Sequence, residues 1–399
     1  MPEYVSQRAK SIKSSPTLTM HAKAREMAAK GIDVINFGVG EPDFDTPDYI
    51  KNAGIQAIQD NFTRYTAAAG IPELRKAIVA KLKNENHLDY SLDEILVSPG
   101  AKASIATVLM AICNPGDEVL IPAPYWVSYP SQVEMVDAIP VYMSTDESTD
   151  FKISAEQLSN TLAALKKPKV LLLNSPNNPT GAVYNRTELE AIAAVCVKHD
   201  LLVISDEIYE KMIYDGEEHY SIAQVSDEIK QRTIVINGVS KAFAMTGWRL
   251  GYAAGPVDII KAATCLQGHT TSCVTSITQK ASVAALTEDD GSIEKMRLEF
   301  DRRRTFLVDE INQIPHVSCA LPKGAFYTMA NVGYYVKNNC KGIADTNDLC
   351  VYLLEKAHIA VVTGTAFGME NYVRFSYANS MENLREGLRR FKKGLESLL

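Results

Sequence analysis

The chain has 399 residues, 46% hydrophobic and 22% charged, with 22 Gly and 17 Pro, a length for two domains or one large domain with an appended lobe and a composition that excludes disorder and collagen-like repetition. Lys and Arg total 41 against 48 Asp and Glu, a formal charge of −7, and an acidic chain without a basic stripe lacks the electrostatic footprint of nucleic-acid binding. The longest nearly apolar stretch, Ala103 to Cys113, covers 11 positions, short of the ~18 needed to span a bilayer.

The N-terminus, MPEYVSQRAKSIKSS, carries Arg8, Lys10 and Lys13 with no apolar region behind them. No secretory signal is expected there, and a cytoplasmic location is. Seven Cys, none in a CxxC pair, point to reduced, mostly buried thiols rather than to zinc or redox work, and no metal is expected. Short apolar runs rich in β-branched residues then recur at 94–98 (EILVS), 118–123 (EVLIPA), 140–144 (PVYMS), 169–176 (KVLLLNSP), 201–207 (LLVISDE), 233–238 (TIVING) and 250–255 (LGYAAG). Runs of this kind are buried strands. Helical stretches alternate with them, among them 101–113 and 188–199, the second with Leu189, Ile192, Ala193, Cys196 and Val197 on one face. Alternating strand and helix predicts an α/β domain with a mostly parallel, seven-stranded sheet between helices.

After Pro256 the spacing predicts one long helix over 258–286 and another over 292–311, whose charge run RLEFDRRR reads as a solvated face. The strand-like pieces AFYTMAN, HIAVVTG and YVRFSYA then mix with helices at 346–357 and 381–398, a smaller α+β domain. The expected division is a large domain at 46–285 and a small one from 1–45 and 286–399.

Several chemistries lack their motifs. There is no GxxxxGK[ST], HExxH or GxSxG, and FGVGEPD (37–43) has Asp43 where a dinucleotide fingerprint needs its third Gly. Other segments point elsewhere. SPGAKAS (98–104) follows a strand and opens a helix, so the N–H groups of Gly100, Ala101 and Lys102 are expected to face an anion. NSPNNPTG (174–181) sets Asn177 and Asn178 at a strand's C-terminal end, where ligands of open α/β sheets gather. SDEIYE (205–210) offers two acids and Tyr209 at the same edge: a metal site, an acid/base pair, or only a helix cap made by Ser205 or Asp206. In NGVSKAFAMTGWRLG (237–251), Lys241 ends a strand among small residues, and a poorly hydrated lysine is a nucleophile toward carbonyl carbon. YVRFSYA places Arg374 within a strand, where a carboxylate partner is expected, from the chain itself or from a ligand.

Together with VGEPDFDTP and APYWVSYP, these segments resemble, in unbroken order over almost the whole chain, the fold-type I, class I aminotransferases that use pyridoxal 5′-phosphate, and among them the prokaryotic-type aspartate aminotransferases, some of which also act on prephenate. The resemblance implies that Lys241 binds the cofactor aldehyde and then moves the substrate Cα proton. It implies that Asp206 pairs with the pyridine nitrogen, that Tyr209 and Asn178 bond the ring's phenolic oxygen, and that Trp126 stacks on the ring. The phosphate is expected on Gly100, Ala101 and Lys102 with Arg249, and with Tyr65 reaching in from a second subunit of a homodimer. The substrate's α-carboxylate is expected on Arg374, with Asn178 and Gly40. Animal-type aspartate enzymes use a partner arginine for the distal carboxylate, and GHTTSCVTS (268–276) offers none. Lys102 takes that place here by resemblance to the prokaryotic group, with Lys13 and Thr17 added where prephenate is accepted. An aromatic or alanine-type aminotransferase and an elimination or decarboxylation enzyme share the same resemblance. A cofactor-sensing transcription regulator shares it too, but no helix-turn-helix stretch precedes residue 30.

Overall fold

The computed structural model describes residues 4–12 and 16–399, without the side chains of residues 11, 16–19 and 21. Seven strands, β1 (Ile95–Ser98), β2 (Glu118–Ala123), β3 (Ile139–Ser144), β4 (Pro168–Asn174), β5 (Leu202–Asp206), β6 (Thr233–Gly238) and β7 (Gly251–Ala254), form one sheet in the order β1-β7-β6-β5-β4-β2-β3. Only β7 runs antiparallel to its neighbours. Each matches an apolar run of the sequence within two residues. The physical reason is visible in β4: Val170 and Leu172 pack into one core beside the helix Ala101–Ile112, while Leu171 and Leu173 pack into another under the helix Arg186–Lys198. A strand covered on both faces reads as continuous rather than alternating hydrophobicity.

The parallel register brings loops to one edge. Asn174 of β4 pairs with Asp206 of β5, Asp206 with Ile236 of β6, and Gly238 with Gly251 of β7, which also faces Ser98 of β1. Segments following β1, β4, β5 and β6 therefore start side by side. A smaller lobe carries an antiparallel sheet of Val362–Thr363, Tyr372–Ser376, Tyr327–Asn331 and Ser318–Cys319. Its core, built on Phe300, Phe326, Phe375 and Phe391, also takes in Ile208 and Tyr209 from the loop after β5.

Three expectations are corrected. The stretch 258–286 is two helices, Val257–Thr270 and Ser276–Thr287. Between them Ser272 adopts φ +63°, and β-branched Thr and Val on either side weaken helix continuation. The run RLEFDRRR is not merely a solvated face: Arg304 is 1% exposed, forks onto Asp215 with both bonds at 2.7 Å and reaches the Pro322 carbonyl, while Arg303 bonds Asp43 at 2.7 Å. Last, all seven cysteines are free, but only Cys196, Cys319 and Cys350 are buried and Cys265 is exposed. Among the described residues no helix is long and apolar enough to cross a membrane.

Gly251 shows how tightly the edge is packed, since a Cβ there would lie 2.2 Å from the Ala101 nitrogen and 2.6 Å from the Gly100 carbonyl carbon. Both neighbours are backbone and cannot rotate away. Gly251→Ala is predicted to cost about 1–3 kcal/mol by overpacking, read as a lower urea midpoint of the full chain; an unchanged midpoint would show that the helix start yields.

Candidate functional site

At this edge lies a cavity of about 280 Å³ whose lining, among the described residues, carries Lys102, Lys241, Arg249 and Arg374 but one carboxylate, Asp206. Lys241 follows β6, where Nζ donates to the Gly40 carbonyl at 2.6 Å. Burial lowers its pKa to about 8; Glu41 opposes the shift, and the charges of Arg249 and Arg374 add to it. A neutral amine is thus available near physiological pH.

Asp206 ends β5 at 4% exposure, and burial raises its carboxyl to about 6 against the hydrogen bond from Tyr129. That bond, Tyr129 Oη to Asp206 Oδ2, is 2.6 Å long. Asn174, at the end of β4, fixes the neighbourhood: its Nδ2 donates to the Asp206 carbonyl at 2.9 Å and its Oδ1 accepts from the Asn178 N–H at 2.8 Å. Tyr209 is buried, its hydroxyl 3.0 Å from that of Tyr327, and its ring centroid lies 5.9 Å from Lys241 Nζ.

Arg374 is 3% exposed and donates to Asn178 Oδ1 at 3.0 Å and to the Gly38 carbonyl at 2.9 Å. Its plane lies over Tyr327, 4.4 Å from the ring centroid. No carboxylate pairs with it among the described residues, and its Nε is buried without a partner. The internal salt bridge that the strand pattern allowed is therefore absent from the described residues. Gly40 stands where a Cβ would come 3.1 Å from the Tyr327 hydroxyl.

At the helix start, Gly100 has φ +90°, and a Cβ would meet the Arg249 guanidinium at 2.6 Å. One expectation fails here. The Gly100 N–H is not free but donates to the Ser98 carbonyl at 2.7 Å, because the turn folds it back, leaving Ala101 and Lys102 as the amides that open the helix. Arg249 is held by the Thr246 carbonyl at 2.9 Å. Lys102 is exposed overall, with Nζ 4.9 Å over the Trp126 ring, and its pKa is lowered by burial of the ammonium and by Arg249. Tyr65 stands 90% exposed outside the cavity. Lys13 and the side chain of Thr17 lie outside the described residues.

The first two acids of SDEIYE, Asp206 and Glu207, point opposite ways. Glu207 turns from the cavity to Ser205, Ser221 and His219, at 2.8, 2.6 and 2.9 Å, and no helix begins here, so the capping alternative fails. Ligand atoms of Glu207, Glu210 and His219 lie within 4.8 Å of one another, yet the Lys81 ammonium already sits on Glu210. Sequence reasoning missed Tyr129, Asn174 and Tyr327. Tyr129 follows Trp126 by three residues and could have been found as its neighbour on a helical turn, but a buried aromatic reads first as core.

A model of the family "Aminotransferase class I and II" matches residues 32–391. The chain is 45% identical over 393 residues to the aspartate aminotransferase of Bacillus sp. (strain YM-2), covering 98% of this chain and 99% of that one. It is 44% identical to the aspartate/prephenate aminotransferase of Nitrosomonas europaea, with 97% and 98% covered. It is also similar to the structure of Thermus thermophilus aspartate aminotransferase with maleate, at TM-score 0.92 and 39% identity, covering 98% and 100%.

The lowered pKa of Lys241 predicts that an amine-directed acylating reagent, applied to the cofactor-free chain and read by peptide mass spectrometry, modifies Lys241 with a midpoint near pH 8, against about 10.4 for an ordinary lysine. Protection up to pH 10 would contradict the desolvated environment.

Proposed function

The chain belongs to the class I and II aminotransferases and is a pyridoxal-phosphate-dependent enzyme, and from that premise we propose that it moves the amino group between aspartate or glutamate and their 2-oxo acids, and onto prephenate to form arogenate. The observation that carries this reading is the charge of the cavity, four cations against one carboxylate. A phosphate and two substrate carboxylates are the anionic groups that would answer that excess.

The residues fit the cofactor. A Cβ at Gly100 would collide with the Arg249 guanidinium, so the bare backbone there lets the guanidinium lie against the helix start, and the amides of Ala101 and Lys102 with Arg249 suit a phosphate. Asp206 suits a ring nitrogen, Asn178 and Tyr209 the phenolic oxygen, Trp126 the ring face and Lys241 the aldehyde carbon. Pyridoxal 5′-phosphate, when bound, supplies a ring that delocalises the electron pair left by the broken Cα–H bond.

The chain's own residues then do the following. Arg374 forks onto the α-carboxylate with N–H groups that the protein does not use, since only two of its five are taken, by Asn178 and the Gly38 carbonyl. Lys241 Nζ accepts the Cα proton, its neutral form being populated at mild pH because burial disfavours the ammonium. Lys102 meets the distal carboxylate at the mouth, with Lys13 and Thr17 joining for the longer substrate. In this reading residues 46–285 form the cofactor-binding domain and 1–45 with 286–399 the smaller one. The exposed apolar side chains of Ile55, Ile58 and Tyr65 support a homodimer in which Tyr65 serves the partner's phosphate.

Purified protein is predicted to be yellow and to lose turnover in Lys241→Ala. Arg374→Lys is predicted to raise KM for aspartate more than it lowers kcat, because the fork is lost; wild-type kinetics in either variant would refute its role.

Prephenate carries a second carboxylate that phenylpyruvate lacks. A charged hydrogen bond is worth roughly 1.5–3 kcal/mol, about 10- to 150-fold, so prephenate is predicted to exceed phenylpyruvate by that factor in kcat/KM, and Lys102→Ala to reduce both prephenate and oxaloacetate. Equal use of prephenate and phenylpyruvate would favour the aromatic aminotransferase reading instead.

A further inference from the structure

We propose that Tyr129 is a positioning residue for the cofactor, acting through Asp206: its phenol decides which carboxylate oxygen is turned to the ring nitrogen and keeps that carboxylate charged. The inference rests on the reading above that Asp206 faces the ring.

Tyr129 is 1% exposed, and its hydroxyl reaches Asp206 Oδ2 at 2.6 Å, the length of an O–H···O⁻ bond. The other oxygen, Oδ1, receives only the Ile208 backbone N–H, at 3.3 Å, so one oxygen is committed and the other has capacity for a further donor. Among the described residues no second side chain donates to this carboxylate.

Asn174 anchors the Asp206 backbone carbonyl but leaves the side-chain torsions free. Tyr129 fixes those, and is itself fixed by the Trp126 ring packed edge-on at 5.3 Å and 83°. A buried carboxylate without a donor would take up a proton. Tyrosine suits this task because its own ionisation is driven well above the usual range by burial and by Asp206, so it stays a donor at any working pH.

The test uses the full chain freed of cofactor and reconstituted with pyridoxal 5′-phosphate or with the analogue bearing C–H in place of the ring nitrogen. Binding is followed by quenching of the two tryptophans, one of which, Trp126, lines the cavity. Tyr129→Phe is expected to weaken pyridoxal 5′-phosphate about tenfold or more and to leave the analogue unchanged, since the analogue has no ring nitrogen to address. In an Asp206→Asn background the same substitution is expected to add nothing.

Equal weakening of both ligands would make Tyr129 a packing residue, and undiminished pyridoxal 5′-phosphate binding would leave it no role; either result overturns the proposal. Should Tyr129→Phe fail to fold, Tyr129→3-fluorotyrosine, a stronger donor of nearly the same shape, is expected to tighten pyridoxal 5′-phosphate alone, and no change would overturn the proposal equally. If Asp206→Asn itself keeps full affinity for pyridoxal 5′-phosphate, it is the underlying reading of Asp206 that fails.

Discussion

Cations gathered around one small cavity repel each other, and among the described residues none of these forms an ion pair with a carboxylate. Three of them are held instead by neutral oxygens, Lys241 by the Gly40 carbonyl, Arg374 by the Gly38 carbonyl and Asn178, and Arg249 by the Thr246 carbonyl, while the Lys102 ammonium lies over the Trp126 ring. A carbonyl fixes direction and returns part of the lost hydration, but leaves the charge in place. Tyr327 and Phe367 add their ring faces beneath the Arg374 guanidinium, with centroids at 4.4 and 4.9 Å, an attraction that again spends no negative charge. The remaining electrostatic demand is directed into the cavity, toward whatever anion enters.

Such an arrangement is unfavourable for folding, and only a rigid frame sustains it. The sheet is that frame: the parallel register of β4, β5 and β6 sets Asn174, Asp206 and the segment before Lys241 side by side. Polar loops at a sheet's C-terminal edge converge without further machinery. Asn174 then works across strands, tying the Asp206 carbonyl to the Asn178 loop that receives Arg374. One amide thereby couples the group suited to a ring nitrogen with the group suited to a carboxylate.

How much of this was legible in the sequence follows from the range of the interactions. Strands such as β4 and β6 could be read because burial on both faces leaves a continuous apolar run. Lys241 and Arg374 stood out because their neighbours are apolar or small, which is unusual for charged residues, and Asp206 because it ends a strand beside a second acid. Tyr129, Tyr327 and the burial of Arg304 did not, since each depends on a partner 77, 118 and 89 positions away and local pattern carries no trace of it. Breaks in helices were also hidden: the turn at Ser272 is one residue in an uncommon conformation. The folding back of the Gly100 N–H is a matter of a single torsion, beyond the reach of composition or spacing.

The loop after β5 shows how charge is kept apart over very short distances. Asp206 and Tyr209 face the cavity, while Glu207 and Glu210 face away, into a recess of about 710 Å³ behind the same strand ends in the case of Glu210. There, burial alone would raise the Glu210 carboxyl, but Lys81, then His219, with the hydrogen bonds of Lys81 and Asn86, hold it down to about 2. The oxygens of Glu207 are hydrogen-bonded by two serine hydroxyls and His219. Lys81 already pairs with Glu210, and His219 with Glu207, which argues for a polar network over a metal site. Because those two carboxylates are matched behind the strand ends, Asp206 is the one carboxylate among the described residues that line the cavity. Had Glu207 and Glu210 also turned inward they would have offset the charges of Lys241 and Arg374; turned away, they leave that positive charge facing the cavity.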